Sequence, residues 1–322
     1  MHVLIVQPQL DKVVTDPEGR RAWRKQLEES SPGDTFEYLA TDTELPARIA
    51  EADVVAGHVS PDALAQASDR LKWVHSWAAG PDRQLFKSFL DSNIVLTCCK
   101  GNGAVPLAEH AIMLMLMLQR DAVRWLDEQR ARVWKHRPHE ELAGKTCAII
   151  GTGYSGVDLA LKAKAFHMQV IGMRRSGEPA PHFDRMYRRE ELHDFLAAAD
   201  FVVVTAPRTP ETLGMLGKAE FAAMKPSAYY VCFSRGGIAD DAALLDAIVS
   251  GKIAGAGLDA HDNEPLPPDS PFWDAPNTII TPHNGATTPG THRRGLEMLM
   301  ENLKRYRSGE TMNNVVEKEA GY

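Results

Sequence analysis

The stretch from Lys145 to Ser176, KTCAIIGTGYSGVDLALKAKAFHMQVIGMRRS, constrains the fold of this chain more than any other. A short apolar run, Cys147 to Ile150, leads into Gly151, Gly153 and Gly156. A segment with helical periodicity, Val157 to Phe166, follows, and a second β-branched run at Val170 and Ile171 closes the unit within about thirty residues. Strand, glycine turn, helix and strand in that order predict a βαβ unit built to hold a dinucleotide. The first glycine permits the tight turn, the second lets the backbone approach a pyrophosphate, and the third lets helix and strand pack closely. The helix N-terminus adds N–H groups and partial positive charge for the anion. Gly151, Thr152, Gly153, Tyr154, Ser155 and Gly156 are therefore the expected cofactor-binding turn.

The end of the second strand bears on which dinucleotide is held. An NAD-type site places Asp or Glu about twenty residues past the glycines, where it accepts hydrogen bonds from the ribose hydroxyls. Here the strand ends in Met173, Arg174, Arg175 and Ser176. A carboxylate would repel a 2′-phosphate, whereas guanidinium groups grip one bidentately and a serine hydroxyl adds a donor. Two solvated arginines on a surface loop are the bland alternative. The missing acid and the present cations point the same way, so NADP(H) is expected over NAD(H).

At 322 residues the chain is long enough for two domains with full cores, and 44% hydrophobic with 25% charged is an ordinary globular balance. A net charge of −7 argues against nucleic-acid binding as the main business. The four cysteines form no framework: Cys98 and Cys99 are adjacent, Cys147 and Cys232 sit in apolar runs, and all four read as buried reduced thiols. The N-terminal MHVLIVQPQL is too short an apolar run for a signal peptide and lacks a basic leader, so a cytoplasmic location is expected. Ala111 to Leu118, AIMLMLML, falls far short of a membrane span and is bounded by Glu109, His110, Gln119 and Arg120. It reads as a buried helix, with a subunit contact as one use for it. Neither a metal nor a membrane partner is expected.

Apolar β-rich runs alternate with helical stretches almost from end to end, the pattern of parallel sheets covered by helices. One sheet is expected from Val3 to Val6, Phe36 to Leu39, Val54 to Ala56, Trp73 to His75 and Ile94 to Thr97. A second, after a long helix from Ala104 to Gln119, is expected from Cys147 to Ile150, Val170 to Gly172, Phe201 to Thr205, Tyr229 to Phe233, Gly255 to Leu258 and Thr278 to Ile280. From about Thr291 an amphipathic helix with Leu296, Leu299 and Leu303 is placed to return to the first domain. The fold class is α/β, with two doubly wound parallel-sheet domains: residues 1–100 plus 291–322, and residues 101–290 with the glycine turn. The Pro-rich Glu264 to Pro271 segment reads as an ordered loop anchored by Phe272 and Trp273.

Open α/β sheets bind ligands at the carboxyl ends of their strands. Arg235 follows one expected strand in SRGG, Glu264 another in LDAHDNEPLP, and His283 a third in TPHNG. An arginine can clamp a carboxylate, a histidine can exchange a proton near neutral pH, and a glutamate can orient that histidine. Singly each has a plain alternative as a surface arginine, a loop carboxylate or a turn-capping histidine. Together at the strand ends of one sheet they are the candidate catalytic trio.

Seven segments in order, WAAGPD at 77–82, PLAEHAIMLML at 106–116, GTGYSG at 151–156, TAPRTPETLGML at 205–216, SRGGIADDAALLDAI at 234–248, GLDAHDNEPLP at 257–267 and TPHNGA at 281–286, make the chain resemble the D-isomer-specific 2-hydroxyacid dehydrogenases. The resemblance implies a Rossmann cofactor domain inserted into a flavodoxin-like substrate domain, with Arg235, Glu264 and His283 in the interdomain cleft. It implies that the backbone at Ala79 and Gly80 binds a substrate carboxylate, that Trp77 shapes the pocket, that Ala206, Pro207 and Asp259 lie on the cofactor with Asp259 at the nicotinamide carboxamide, and that the protein is a homodimer. The substrate implied is a small 2-keto or 2-hydroxy acid. Many members carry Asp where Arg174 stands, which puts NAD use in doubt, and Ala206 with Pro207 replaces a more usual Leu-Pro pair. The expected activity is NADP(H)-dependent reduction of a 2-keto acid to the D-2-hydroxy acid. The alternatives are an NAD-dependent dehydrogenase working toward oxidation and a nucleotide-sensing corepressor-like binding protein, the latter disfavoured because no extra interaction tail is evident.

Overall fold

Strands that are buried on both faces read as continuous apolar runs rather than as alternating ones, and Val3, Leu4, Ile5 and Val6, none more than 1% exposed, are such a run. The computed structural model describes residues 1–7, 11 and 14–319. The end of the MHVLIVQPQL segment and the last three residues, to Tyr322, lie outside the described residues. The chain divides into two compact units, Met1–Gly103 with Thr287–Tyr322, and Ala104–Ala286.

The first unit runs β1 (His2–Val6), α1 (Pro17–Ser30), β2 (Thr35–Leu39), β3 (Val54–Ala56), α2 (Pro61–Leu64), β4 (Trp73–Ser76), α3 (Lys87–Leu90) and β5 (Val95–Cys98), and ends on a C-terminal helix, Pro289–Ser308. All five strands are parallel, in the order β2-β1-β3-β4-β5. This is a doubly wound sheet whose order reverses between β1 and β3. Leu4, Val6, Val55, Val74 and Leu96 pack with Phe89 on one face. Val3, Ile5, Val54 and Trp73 pack on the other with Trp23 and Leu27 of α1 and with Leu296, Leu299 and Leu303 of the C-terminal helix. That helix begins two residues before the expected Thr291. The Thr288 side chain accepts from the Thr291 N–H at 3.1 Å, and Pro289 fills the first helical position, where a missing N–H costs nothing.

His75 is fully buried in this unit. The Thr97 hydroxyl accepts from Trp73 Nε1 at 2.8 Å and lies 2.8 Å from His75 Nδ1, while His75 Nε2 lies 3.4 Å from Cys99 Sγ, so both ring nitrogens have neutral partners. With no counter-charge to offset desolvation, burial pushes the His75 pKa down to about 3. The four cysteines are free and buried, and burial raises the Cys99 thiol beyond its usual range.

The second unit runs α4 (Ala104–Gln119), α5 (Ala122–Arg130), β6 (Thr146–Ile150), α6 (Tyr154–Ala165), β7 (Gln169–Met173), β8 (Arg185–Tyr187), α7 (Leu192–Ala198), β9 (Phe201–Val204), α8 (Lys218–Ala223), β10 (Tyr229–Cys232), α9 (Asp241–Val249), β11 (Gly255–Leu258) and β12 (Thr278–Ile280). Its seven strands are all parallel, in the order β12-β11-β10-β9-β6-β7-β8. Counted from β6 this is the 3-2-1-4-5-6 dinucleotide-binding order with one further strand, and it reverses between β6 and β9. The edge strand β8 was not expected: Arg-Met-Tyr is short and partly charged, which suits a sheet edge and hides the strand from a search for apolar runs. Helix α4 buries Ala108, Ala111, Leu114 and Met115 and leaves Val105 and Met113 exposed. Among the described residues no helix is long and apolar enough to cross a membrane.

Candidate active site

The carboxyl ends of β6 and β9, where the strand order reverses, carry the glycine turn. Gly151 has φ +99, and a Cβ there would lie 2.7 Å from the Ala206 amide nitrogen, so the turn needs glycine on both counts. A Cβ at Gly156 would overlap the Gly151 carbonyl oxygen, which is how α6 comes so close to the strand. Gly153 differs: a Cβ there meets nothing within 4 Å. It is the N-cap of α6 and supplies no side-chain cap, so no side chain of its own occupies the first-turn N–H groups of that helix. These are the features a pyrophosphate requires, so the residues present fit a dinucleotide. The helix begins at Tyr154 rather than at the expected Val157 because the glycine turn itself forms its first turn.

Arg174, Arg175 and Ser176 follow β7 as expected, and the structure shows what they already touch. Arg174 donates from Nε to the Glu178 carbonyl at 3.0 Å and from Nη2 to the Pro179 carbonyl at 2.9 Å. Ser176 Oγ accepts from the Glu178 N–H at 3.3 Å, and Arg175 Nε lies 3.7 Å from a Glu211 carboxylate oxygen. The loop is thus a closed turn with two of the Arg174 N–H groups committed to backbone. Ala206 is buried against the glycine turn, and the Pro207 carbonyl accepts from the Thr212 hydroxyl at 2.8 Å.

Arg235, Asp259, Glu264 and His283 follow β10, β11 and β12. A Cβ at Gly236 would overlap the His261 carbonyl carbon and the Asp262 amide nitrogen, so the loop after β10 lies directly on the loop after β11. Arg235 Nη1 donates to the Ser234 carbonyl at 2.8 Å, and the buried Cys232 thiol to the Arg235 carbonyl at 3.4 Å. Glu264 accepts the His261 backbone N–H on Oε1 at 2.9 Å and faces His283 Nδ1 with Oε2 at 2.7 Å. The two side chains are 36% and 41% exposed, open enough for a substrate to reach. Burial lowers the His261 pKa against the opposite pull of Glu264 and Asp259, and its backbone N–H serves Glu264. The anchor after Glu264 is Phe272, at 4% exposed. Trp273 is half exposed and instead closes the loop through Nε1 to the Pro267 carbonyl at 2.8 Å.

Asp259 is fully buried. Its Oδ1 accepts from the Thr281 hydroxyl at 2.6 Å and the Asn284 N–H at 3.1 Å, and its Oδ2 from the Gly285 N–H at 2.9 Å. His110 Nε2 on α4 lies 2.9 Å from Thr281 Oγ1. Neither His110 nor Thr281 was singled out from the sequence. A polar ring bordering the apolar run of α4 was the available signal. Trp77, Ala79 and Gly80 belong to the first unit, after β4, where Trp77 Nε1 donates to the Val6 carbonyl at 3.1 Å and Ala79 is exposed.

Residues 112–285 match the model of the D-isomer specific 2-hydroxyacid dehydrogenase NAD binding domain. The chain is 33% identical over 273 residues to D-3-phosphoglycerate dehydrogenase of Archaeoglobus fulgidus, covering 83% of this chain and 51% of that protein. It therefore spans about half the length of that relative. It is 33% identical to glyoxylate/hydroxypyruvate reductase B of Pectobacterium carotovorum, covering 81% of this chain and 83% of that one. Among solved structures, the NADPH-dependent glyoxylate/hydroxypyruvate reductase of Sinorhizobium meliloti in complex with NADP and sulfate superimposes with TM-score 0.84 at 28% identity, over 100% of this chain and 99% of that chain. A D-isomer specific 2-hydroxyacid dehydrogenase of Xanthobacter autotrophicus in complex with NADPH does so with TM-score 0.84 at 26% identity, over 100% and 99%. With the family model covering more than half of it and relatives this similar, the chain belongs to the D-isomer specific 2-hydroxyacid dehydrogenase family.

Proposed function

We propose that this protein reduces a small 2-keto acid to the D-2-hydroxy acid with NADPH, His283 giving the proton. The observation that carries the reading is the 2.7 Å contact between Glu264 Oε2 and His283 Nδ1. A carboxylate on Nδ1 fixes the ring and its tautomer and leaves Nε2 as the atom that exchanges a proton with substrate. When bound, the nicotinamide supplies the hydride. Arg235 holds the substrate carboxylate or carbonyl oxygen and stabilises the negative charge that grows there. Glu264, itself held by the His261 N–H, keeps the imidazole aimed. Gly151, Thr152, Gly153, Tyr154, Ser155 and Gly156 hold the pyrophosphate, and Arg174 and Arg175 favour the 2′-phosphate.

A panel of 2-keto acids (glyoxylate, hydroxypyruvate, pyruvate, phenylpyruvate and branched acids) with NADPH or NADH, followed at the nicotinamide absorbance, tests this directly. NADPH-dependent turnover of one of them is expected, with His283→Ala lowering kcat by roughly 10² to 10⁴. No turnover of any keto acid with either cofactor refutes it. One observation favours a second reading, an NAD-dependent dehydrogenase working toward oxidation: Arg174 already gives two N–H groups to the Glu178 and Pro179 carbonyls. Equal or better efficiency with NADH would select that reading. A homodimer is part of the proposal and is supported by Val123, Trp125 and Leu126 on α5, each more than 40% exposed. Light scattering after size exclusion measures it.

A further inference from the structure

His283 sits in the left-handed backbone region, at φ +50, one residue beyond the proline of TPHNG. A non-glycine residue is uncommon there and is held where the surroundings fix it. Here they do so through one buried carboxylate. The loop is tied at its start by the Thr281 hydroxyl on Asp259 Oδ1, and at its end by the Asn284 and Gly285 N–H groups on Oδ1 and Oδ2. Thr281 has one hydroxyl proton and spends it on the 2.6 Å bond to Asp259. Its oxygen must therefore accept from His110 Nε2 at 2.9 Å, which places a proton on that nitrogen. Nε2 is also 3.6 Å from Asp259 Oδ1. Gly285 completes the fit, since a Cβ there would lie 2.8 Å from Asp259 Oδ2 and 3.2 Å from His110 Cγ.

We infer that His110 and Thr281 are positioning residues which, through Asp259, hold the loop that aims His283. The catalytic part of this rests on the function proposed above. A chain of fixed donors runs from α4 to the loop. Helix α4 is otherwise buried through alanine, leucine and methionine, and a histidine there is desolvated without gain unless its N–H is used. Asp259 is likewise engaged with the loop through both oxygens, while Oδ2, with the Gly285 N–H bond, keeps a lone pair for the expected carboxamide.

The test uses the full chain with Thr281→Val and His110→Leu, which remove the bonds, and Thr281→Ser and His110→Gln, which keep a hydroxyl and an N–H donor. Amide exchange at Asn284 and Gly285 should quicken by about tenfold or more in the first pair while β9 amides keep their protection. In the same pair kcat should fall on the order of 10²-fold, with KM for the keto acid and NADPH affinity changed less than about threefold. The second pair should recover most of both losses. On a His283→Ala background, Thr281→Val should cost less than about threefold, because the residue it positions is gone. Unchanged exchange at Asn284 and Gly285, or a Thr281→Val loss equally large without His283, overturns the inference. If the native protein reduces no keto acid, the proposed function falls, while the exchange data still decide whether this network holds the loop.

Discussion

Lowering the pH should unfold this protein partly through one histidine remote from any proposed chemistry. His75 is fully buried with neutral partners, and burial holds its pKa down to about 3, against about 6.5 for an unperturbed imidazole. Above about pH 6.5 neither the folded nor the unfolded chain protonates this ring. Below it the unfolded chain takes up a proton that the folded chain refuses until about pH 3, so stability is lost as the pH falls through that window. One pH unit corresponds to about 1.4 kcal/mol, so this ring alone removes about 2 kcal/mol at pH 5 and about 3 kcal/mol at pH 4. Against a total of about 5 to 15 kcal/mol for a typical domain, that is a large share. Urea unfolding of the native chain and of His75→Gln, each from pH 7 to pH 4, isolates the effect because carboxylate contributions cancel between them. Stability should fall more steeply in the native chain by up to one proton's worth, and the nitrogen shifts of His75 should stay those of a neutral ring at pH 5. Equal slopes in the two proteins, or a protonated His75 ring in the folded state at pH 5, would refute the reasoning.

Gly236→Ala should damage fold and activity together, because its Cβ meets the backbone of His261 and Asp262 and must part the loops that carry Arg235 and Glu264. A loss of roughly 1 to 3 kcal/mol in unfolding free energy and on the order of 10²-fold in kcat is expected from calorimetry and steady-state kinetics. Gly153→Ala makes the contrasting case: nothing lies within 4 Å of its Cβ, so Tm should hold while NADPH affinity, followed by fluorescence titration, falls about tenfold or more. Arg174→Asp should move preference from NADPH toward NADH. About 1.5 to 3 kcal/mol of charge-assisted bonding lost from NADPH corresponds to roughly tenfold or more in its Kd, and comparable NADPH and NADH efficiencies in the native protein would count against it.

Most strands were legible because parallel sheets bury both faces: Phe201 to Val204 and Val3 to Val6 can hardly be read otherwise. β8 was not, since Arg185 and Met186 give an edge strand no apolar signature. The glycine turn was legible in place and order, but only the structure separates Gly151 and Gly156, which the protein's own backbone crowds, from Gly153, which faces open space. Strand-end logic and the family resemblance gathered Arg235, Glu264 and His283, and the structure brings Glu264 and His283 to 2.7 Å. Two things escaped. Arg174 looked like a cation awaiting a phosphate, and its bonds to carbonyls four and five residues on are a turn property that composition does not encode. His110 meets Thr281 across 171 positions of sequence. A contact that distant leaves no local pattern, and a histidine in an apolar helix reads only as the helix's polar edge.

The first unit is split in sequence, and that sets an order of events on the ribosome. Its five strands are complete by Cys98, yet the leucines that cover Val3, Ile5, Val54 and Trp73 belong to the helix at Pro289–Ser308. At about 5 to 20 residues per second, the roughly 180 intervening residues take on the order of 10 to 40 seconds to make. For that interval a nascent sheet has this face covered by Trp23 and Leu27 of α1 without those leucines, while the second unit, continuous in sequence, can fold as it emerges. A stop between Ala286 and Leu296 would therefore release a chain whose later unit is finished and whose earlier one is not.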